Sequence, residues 1–151
     1  SFGGTKNGLV AGEAVVFFKQ VLADDFEFKR MQGMQLSSKM RFIAAQFNAL
    51  LSNDLWKRNA THSNRMARLL AEQLAGVSGI TLTQQVQANE VFAIMPSAII
   101  PRLQARWPFH VWNEKTSEVR LITSFDTTEE DIADFGGLVR EVIGAKEKQW
   151  T

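Results

Sequence analysis

Lys6 sits in the glycine-rich stretch SFGGTKNG at residues 1–8, flanked by the hydroxyl of Thr5 and the amide of Asn7. A lysine so placed can cradle phosphate, form a Schiff base with a carbonyl cofactor, or stand in solvent as part of a turn. The phosphate-loop reading fits least. That motif, Gly-x-x-x-x-Gly-Lys-Ser/Thr, opens a helix directly after the lysine, whereas Asn7-Gly8 follow Lys6 and a strand-like run comes next. Schiff base and ordinary turn are left. Thr5 and Asn7 suit either, since such residues orient reactive groups and equally bond the backbone of their own turns.

Arg120 lies in the strand-like run Val119-Arg120-Leu121-Ile122-Thr123. Taken alone it reads as an exposed strand residue paired with Glu118 or Asp126. His62 and His110 are too isolated in sequence to form a metal site, and each reads as a structural residue. Lys29, Arg30, Lys39 and Arg41 read as solvated helix surface. The absence of cysteine removes thiolate nucleophiles, thiolate zinc sites and disulfides, and fits a cytoplasmic compartment.

Composition narrows the partners. The 17 Lys and Arg balance 16 Asp and Glu without a run of either sign, so neither nucleic acid nor an anionic membrane is expected, and small molecules or protein subunits are. No apolar run approaches the roughly 20 residues that span a bilayer, and residues 1–20 lack the pattern of a signal peptide. Hydrophobic residues at 45% and charged residues at 22% are those of a folded globular domain. A chain opening at Ser1, inside a glycine-rich functional loop, is expected to be a piece of a longer polypeptide.

The elements that must position these side chains follow from periodicity. Residues 14–18, Ala-Val-Val-Phe-Phe, predict a buried strand after the lysine turn, and residues 24–31 predict a helix before the Gln32-Gly33 break. Met40, Ile43, Ala44, Phe47, Leu50 and Leu51 recur at spacings of three and four, an amphipathic helix that Ser37 or Ser38 can cap. A second helix opens after Asn53-Asp54 on the stripe Leu55, Ala60, Met66, Ala67, Leu70, Ala71 and Leu74, and ends at Gly76. Strands are predicted at residues 80–83, 90–94, 109–112 and 119–123, with a helix at 97–105 after Pro96. A capping box from Thr127 to Glu130 opens a last helix on Ile132, Phe135, Leu138, Val139 and Val142. The expected class is α+β: a largely antiparallel sheet covered by helices on one face.

SFGGTKNG followed by Gly12-Glu13-Ala14-Val15-Val16-Phe17-Phe18 resembles the cofactor-lysine segment of bacterial low-specificity L-threonine aldolases, within the fold-type-I pyridoxal-phosphate enzymes. The likeness extends through Ser38-Lys39-Met40-Arg41-Phe42, Leu55-Trp56 with Asn59-Ala60, Glu118-Val119-Arg120-Leu121, and Ser124-Phe125-Asp126-Thr127-Thr128. It implies the α/β class by family: residues 1–36 as the end of a large cofactor-binding domain with its lysine-bearing strand, and 37–151 as the C-terminal small domain of an aspartate-aminotransferase-like fold.

By the same resemblance, Lys6 is the lysine that binds pyridoxal 5'-phosphate, with Thr5 and Asn7 as further cofactor contacts. Arg120 holds the substrate carboxylate, because a guanidinium forks onto it with two charge-assisted hydrogen bonds. Gly3 stands where many fold-type-I enzymes carry a phosphate-binding serine. The implied reaction cleaves L-threonine or L-allo-threonine to glycine and acetaldehyde in a homodimer or homotetramer. The base, the ring-stacking residue and most phosphate donors would lie upstream of Ser1, so this chain alone is expected to be inactive and to expose normally buried apolar surface. Another fold-type-I enzyme, such as a phenylserine aldolase or β-eliminating lyase, and a non-catalytic interaction domain are the alternatives.

Overall fold

A computed structural model of the chain describes residues 1–147, which divide into two compact units, one of Ser1–Asn59 and one that begins at Ala60. In the first unit, β1 (Phe2–Gly3) and β2 (Glu13–Ala14) pair antiparallel, Phe2 opposite Ala14 and Gly3 opposite Glu13, closing the lysine-bearing segment into a loop. Two helices follow, α1 (Phe26–Gln32) and α2 (Met40–Leu51). The predicted stripe of α2 is only partly realised, with Leu50 buried and Met40, Ile43 and Phe47 half-buried. Neither Ser37 nor Ser38 caps it. Lys39 is the N-cap residue without a side-chain cap, and the Ser37 hydroxyl donates instead to Met40 Sδ at 3.5 Å.

The run at residues 14–18 departs further from expectation. Only Ala14 belongs to a strand, and Val15, Val16 and Phe18 are exposed, Phe18 at 93%. A strand needs a ladder partner and a covering layer, and this unit offers the run only the two residues of β1. The same shortage shows throughout the unit, where Phe2, Val21, Leu22, Phe28, Met31 and Met34 are also exposed while only Leu9 and Leu50 are buried among its large apolar side chains.

Asn53 and Asp54 take left-handed backbone conformations, φ 51° and 56°, which their short polar side chains tolerate, and end α2 before α3 (Leu55–Leu74) begins. Beyond Asn59, α3 buries Ser63, Met66, Ala67, Leu70, Ala71 and Leu74 on one face. The second unit then builds a four-stranded antiparallel sheet from β3 (Thr81–Leu82), β4 (Glu90–Ile94), β5 (His110–Asn113) and β6 (Glu118–Ile122), in the order β3-β4-β6-β5. A short α4 (Ile100–Gln104) precedes β5, and α5 (Glu129–Glu147) follows β6.

Alternation in the central strands sorts the two sheet faces. Val91, Ala93, Val119 and Leu121 are buried with Met66, Leu70 and Leu74 of α3 and Ile132, Phe135, Val139 and Val142 of α5 in one core. Each fully buried Val, Leu, Ile, Met or Phe side chain among them contributes roughly 1.5–3 kcal/mol. The alternate residues, Glu90, Phe92 and Ile94 with Glu118, Arg120 and Ile122, form the outer face. This is the antiparallel, one-side-covered sheet expected from the strand pattern. The capping box at α5 is set one residue later than predicted: Thr128 pairs reciprocally with Asp131, while the Thr127 hydroxyl accepts from the Ser124 N–H at 2.9 Å.

Candidate active site

The loop that carries Lys6 is held by its own backbone. Gly4 donates to the Gly12 carbonyl at 3.1 Å, and the N–H groups of Asn7 and Leu9 both converge on the Gly4 carbonyl, at 3.0 and 3.1 Å. Residues 5–7 form a single 3-10 turn with Lys6 at its centre and exposed. The glycines permit close approach. A Cβ on Gly4 would sit 2.4 Å from Leu9 Cδ2, the side chain buried beneath the turn, and Gly12 takes φ +140° with Phe47 Cε2 only 2.9 Å from where its Cβ would be.

Two helices clasp this loop. From α2, the Gln46 amide oxygen accepts the N–H groups of Val10 and Ala11, at 2.9 and 3.4 Å. From the start of α3, the Asn59 amide donates to the Asn7 carbonyl at 2.8 Å, and Asn7 Nδ2 donates to the Trp56 carbonyl at 3.2 Å. Asn7 thus ties the lysine turn to α3, and its Oδ1 is buried without a hydrogen-bond partner among the described residues. Thr5 beside it is exposed. The result is a primary amine on a restrained pedestal next to a hydroxyl, groups that fit an aldehyde cofactor.

Arg120 occupies the middle of the outer sheet face. Its direct cross-strand partners are Phe92 on β4 and His110 on β5. The expected ion pairs with Glu118 or Asp126 do not form, since Glu118 accepts from the Thr83 hydroxyl and Asp126 from the Ser124 hydroxyl. Glu90, two residues along β4 from Phe92, pairs with Arg120 Nη2 instead. That hydrogen bond raises the guanidinium pKa above its ordinary value, against the lowering effect of burial.

A β-bulge completes the surroundings of Arg120. Val111 pairs with Val119 and Asn113 with Glu118, so Trp112 is the extra residue of β5, and a bulge re-aims the side chain it carries. The Trp112 ring lies 5.6 Å from the guanidinium carbon and packs edge-on against Phe92 at 5.5 Å. Arg120 Nε is buried and has no hydrogen-bond partner among the described residues. Nη2 is therefore anchored, Nε is closed off, and the side chain as a whole keeps 26% of its exposure.

Lys6 belongs to the first unit and Arg120 to the second. His62 is structural, as expected: its Nε2 lies 2.7 Å from the Thr127 carbonyl, and because a carbonyl can only accept, Nε2 carries the proton. His110 is exposed beside Arg120. Lys29, Arg30, Lys39 and Arg41 are exposed, and Arg41 lies over the Phe42 ring at 4.9 Å. Among the described residues no group of three His, Cys, Asp or Glu side chains is placed to hold a metal, and no helix is long and apolar enough to cross a membrane. Glu90 was not legible as an Arg120 partner from sequence, because only the register of β4 against β6 brings them together.

Comparison with known proteins gives a consistent picture. No family model matches the chain. A low-specificity L-threonine aldolase from Pseudomonas aeruginosa is 44% identical over 145 residues, 95% of this chain. The enzyme of the same description from a Pseudomonas species is 38% identical over 145 residues. The structure of Leishmania major threonine aldolase superposes with a TM-score of 0.80 over 93% of this chain at 28% identity. In each case the chain spans 42% of the relative's own length.

Proposed function

We propose that this chain, which belongs to the low-specificity L-threonine aldolase family, is the C-terminal portion of a pyridoxal-phosphate enzyme that cleaves L-threonine and L-allo-threonine to glycine and acetaldehyde. The observation that carries the reading is the clasped turn of residues 4–12 with its exposed lysine, in a chain 44% identical to such an aldolase. Residues 1–36 are assigned to the end of the large cofactor-binding domain and 37–151 to the small domain.

Pyridoxal 5'-phosphate would be held at Lys6 Nζ with Thr5 and Asn7 alongside, and when bound it supplies the ring that takes up the electrons released at Cα. The restrained backbone around Lys6 fixes where the amine can reach, which is the contribution a protein makes to cofactor chemistry. Arg120 receives the substrate carboxylate through charge-assisted hydrogen bonds and thereby orients the bond to be broken. Cleavage needs the β-hydroxyl proton removed as the Cα–Cβ bond breaks, giving the aldehyde, followed by protonation at Cα to give glycine. The base is assigned to the part of the relatives that this chain does not span. Action in the cytoplasm as a homodimer or homotetramer completes the reading.

The test uses the full-length protein with L-threonine and L-allo-threonine. Acetaldehyde and glycine are the expected products, and ammonia with a keto acid as the main products would point to a β-eliminating lyase and overturn the reading. Borohydride treatment followed by peptide mapping is expected to fix the cofactor to Lys6, with both adduct and activity lost in Lys6→Ala. Retention of either by that variant would exclude Lys6 as the cofactor lysine.

A further inference from the structure

An arginine on an open sheet face has a long side chain with many rotamers, and a carboxylate clamp works only if one of them is held. Two features hold Arg120. The Trp112 ring flanks the guanidinium, 5.6 Å from its central carbon, and the Glu90 carboxylate bonds Nη2 from the adjacent strand. Glu90 is the diagonal neighbour of Arg120, within reach of long side chains across a sheet. The two side chains keep only 26% and 32% of their exposure, so their attraction is less screened than that of an ordinary surface pair.

The pairing leaves part of the guanidinium uncovered, the Arg120 side chain keeping 26% of its exposure. Glu90 bonds through one oxygen to one guanidinium nitrogen, Nη2. A ligand carboxylate approaching this face therefore meets the exposed part of the guanidinium, while Glu90 holds Nη2 from the side. Glu118 and Asp126 are engaged by Thr83 and Ser124, so Glu90 is the carboxylate on this guanidinium. We propose that Glu90 is a positioning residue, which fixes the Arg120 guanidinium in the orientation that receives the amino-acid carboxylate. The inference rests on the reading of Arg120 as the carboxylate clamp.

The test compares Glu90→Ala, Glu90→Gln and Arg120→Ala in the full-length, cofactor-loaded protein. The probes are L-threonine and the amino alcohol obtained by reducing its carboxylate. Glu90→Ala is expected to raise KM for L-threonine about tenfold, the scale of one hydrogen bond to a charged group that is no longer well aimed. It should leave kcat within about twofold and amino-alcohol binding unchanged, because only carboxylate capture is lost. Glu90→Gln, which keeps an oxygen acceptor at the same reach, should recover most of the loss. An unchanged or lowered KM in Glu90→Ala would overturn positioning, a lowered one showing Glu90 to be a competitor for the guanidinium. Equal weakening of the amino alcohol and the cofactor would show a merely structural residue. If Arg120→Ala raises KM and Glu90→Ala does not, positioning alone fails. If Arg120→Ala also leaves KM unchanged, the clamp reading fails with it.

Discussion

The Asp131 carboxylate accepts both the backbone N–H and the hydroxyl of Thr128, at 2.8 and 2.7 Å, while the Thr128 hydroxyl accepts the Asp131 N–H at 3.1 Å. The backbone bond, and then the hydroxyl, hold the Asp131 carboxyl below its ordinary value of 3.8. A depressed folded-state pKa contributes stability that is present above the unfolded pKa and lost as pH falls through the folded one. Asp131→Asn should therefore flatten the fall in denaturation midpoint on acidification below about pH 4. Thr128→Ala, which removes the cap, should cost about 1 kcal/mol at neutral pH. An unaltered acid profile in Asp131→Asn would show that the box does not couple to stability.

Gly12→Ala tests the clasp on the lysine loop. With φ at +140° and Phe47 Cε2 2.9 Å from the new methyl, the substitution meets both backbone strain and α2. The expected loss is roughly 1–3 kcal/mol, read as a lowered Tm. Cofactor affinity should fall with it, because the same loop aims Lys6. A variant with wild-type Tm and cofactor affinity would mean the loop adapts freely.

Arg120→Ala should weaken amino-acid binding by about 1.5–3 kcal/mol, the contribution of hydrogen bonds to a charged group. Cofactor binding should be unaffected. Arg120→Lys should recover little of this, since an ammonium is a point charge without the planar fork. Titration of each variant with amino acid and with cofactor separates the two affinities, and parallel losses in both would assign Arg120 a structural role.

The apolar side chains on residues 1–51 make a further expectation. Phe2, Val15, Val16, Phe18, Phe28 and Met31 are all exposed in the first unit, a concentration unusual for a monomer in water. The 151-residue chain alone should self-associate and bind hydrophobic dyes. Sedimentation as a single monomer without dye binding would contradict this.

Most of the second unit was legible because its periodicities are strong. The α3 stripe from Met66 to Leu74 and the alternation Val91, Ala93 against Phe92, Ile94 give the core face directly. The strand at 90–94 falls where predicted. What failed depended on partners distant in sequence or on close local competition. Residues 14–18 have strand composition but lack a ladder and a cover here. The stretch Thr127-Thr128-Glu129-Glu130-Asp131 contains two overlapping capping boxes, and Thr127 is diverted from the first by the Ser124 N–H. Lys6 and Arg120 were singled out by residue type and resemblance. Glu90 was missed because Glu118 and Asp126 are nearer in sequence, whereas strand pairing makes Glu90 the spatial neighbour.

The bulge at Trp112 separates two kinds of heritable change. Its flanking pairs, Val111 with Val119 and Asn113 with Glu118, set the alignment of β5 without using residue 112. Replacement at that one position can retune the surroundings of a guanidinium while the alignment of the strands stays as it was. On the proposed reading of Arg120 as the carboxylate clamp, residue 112 is a position where the surroundings of the clamp can change without a change of strand pairing.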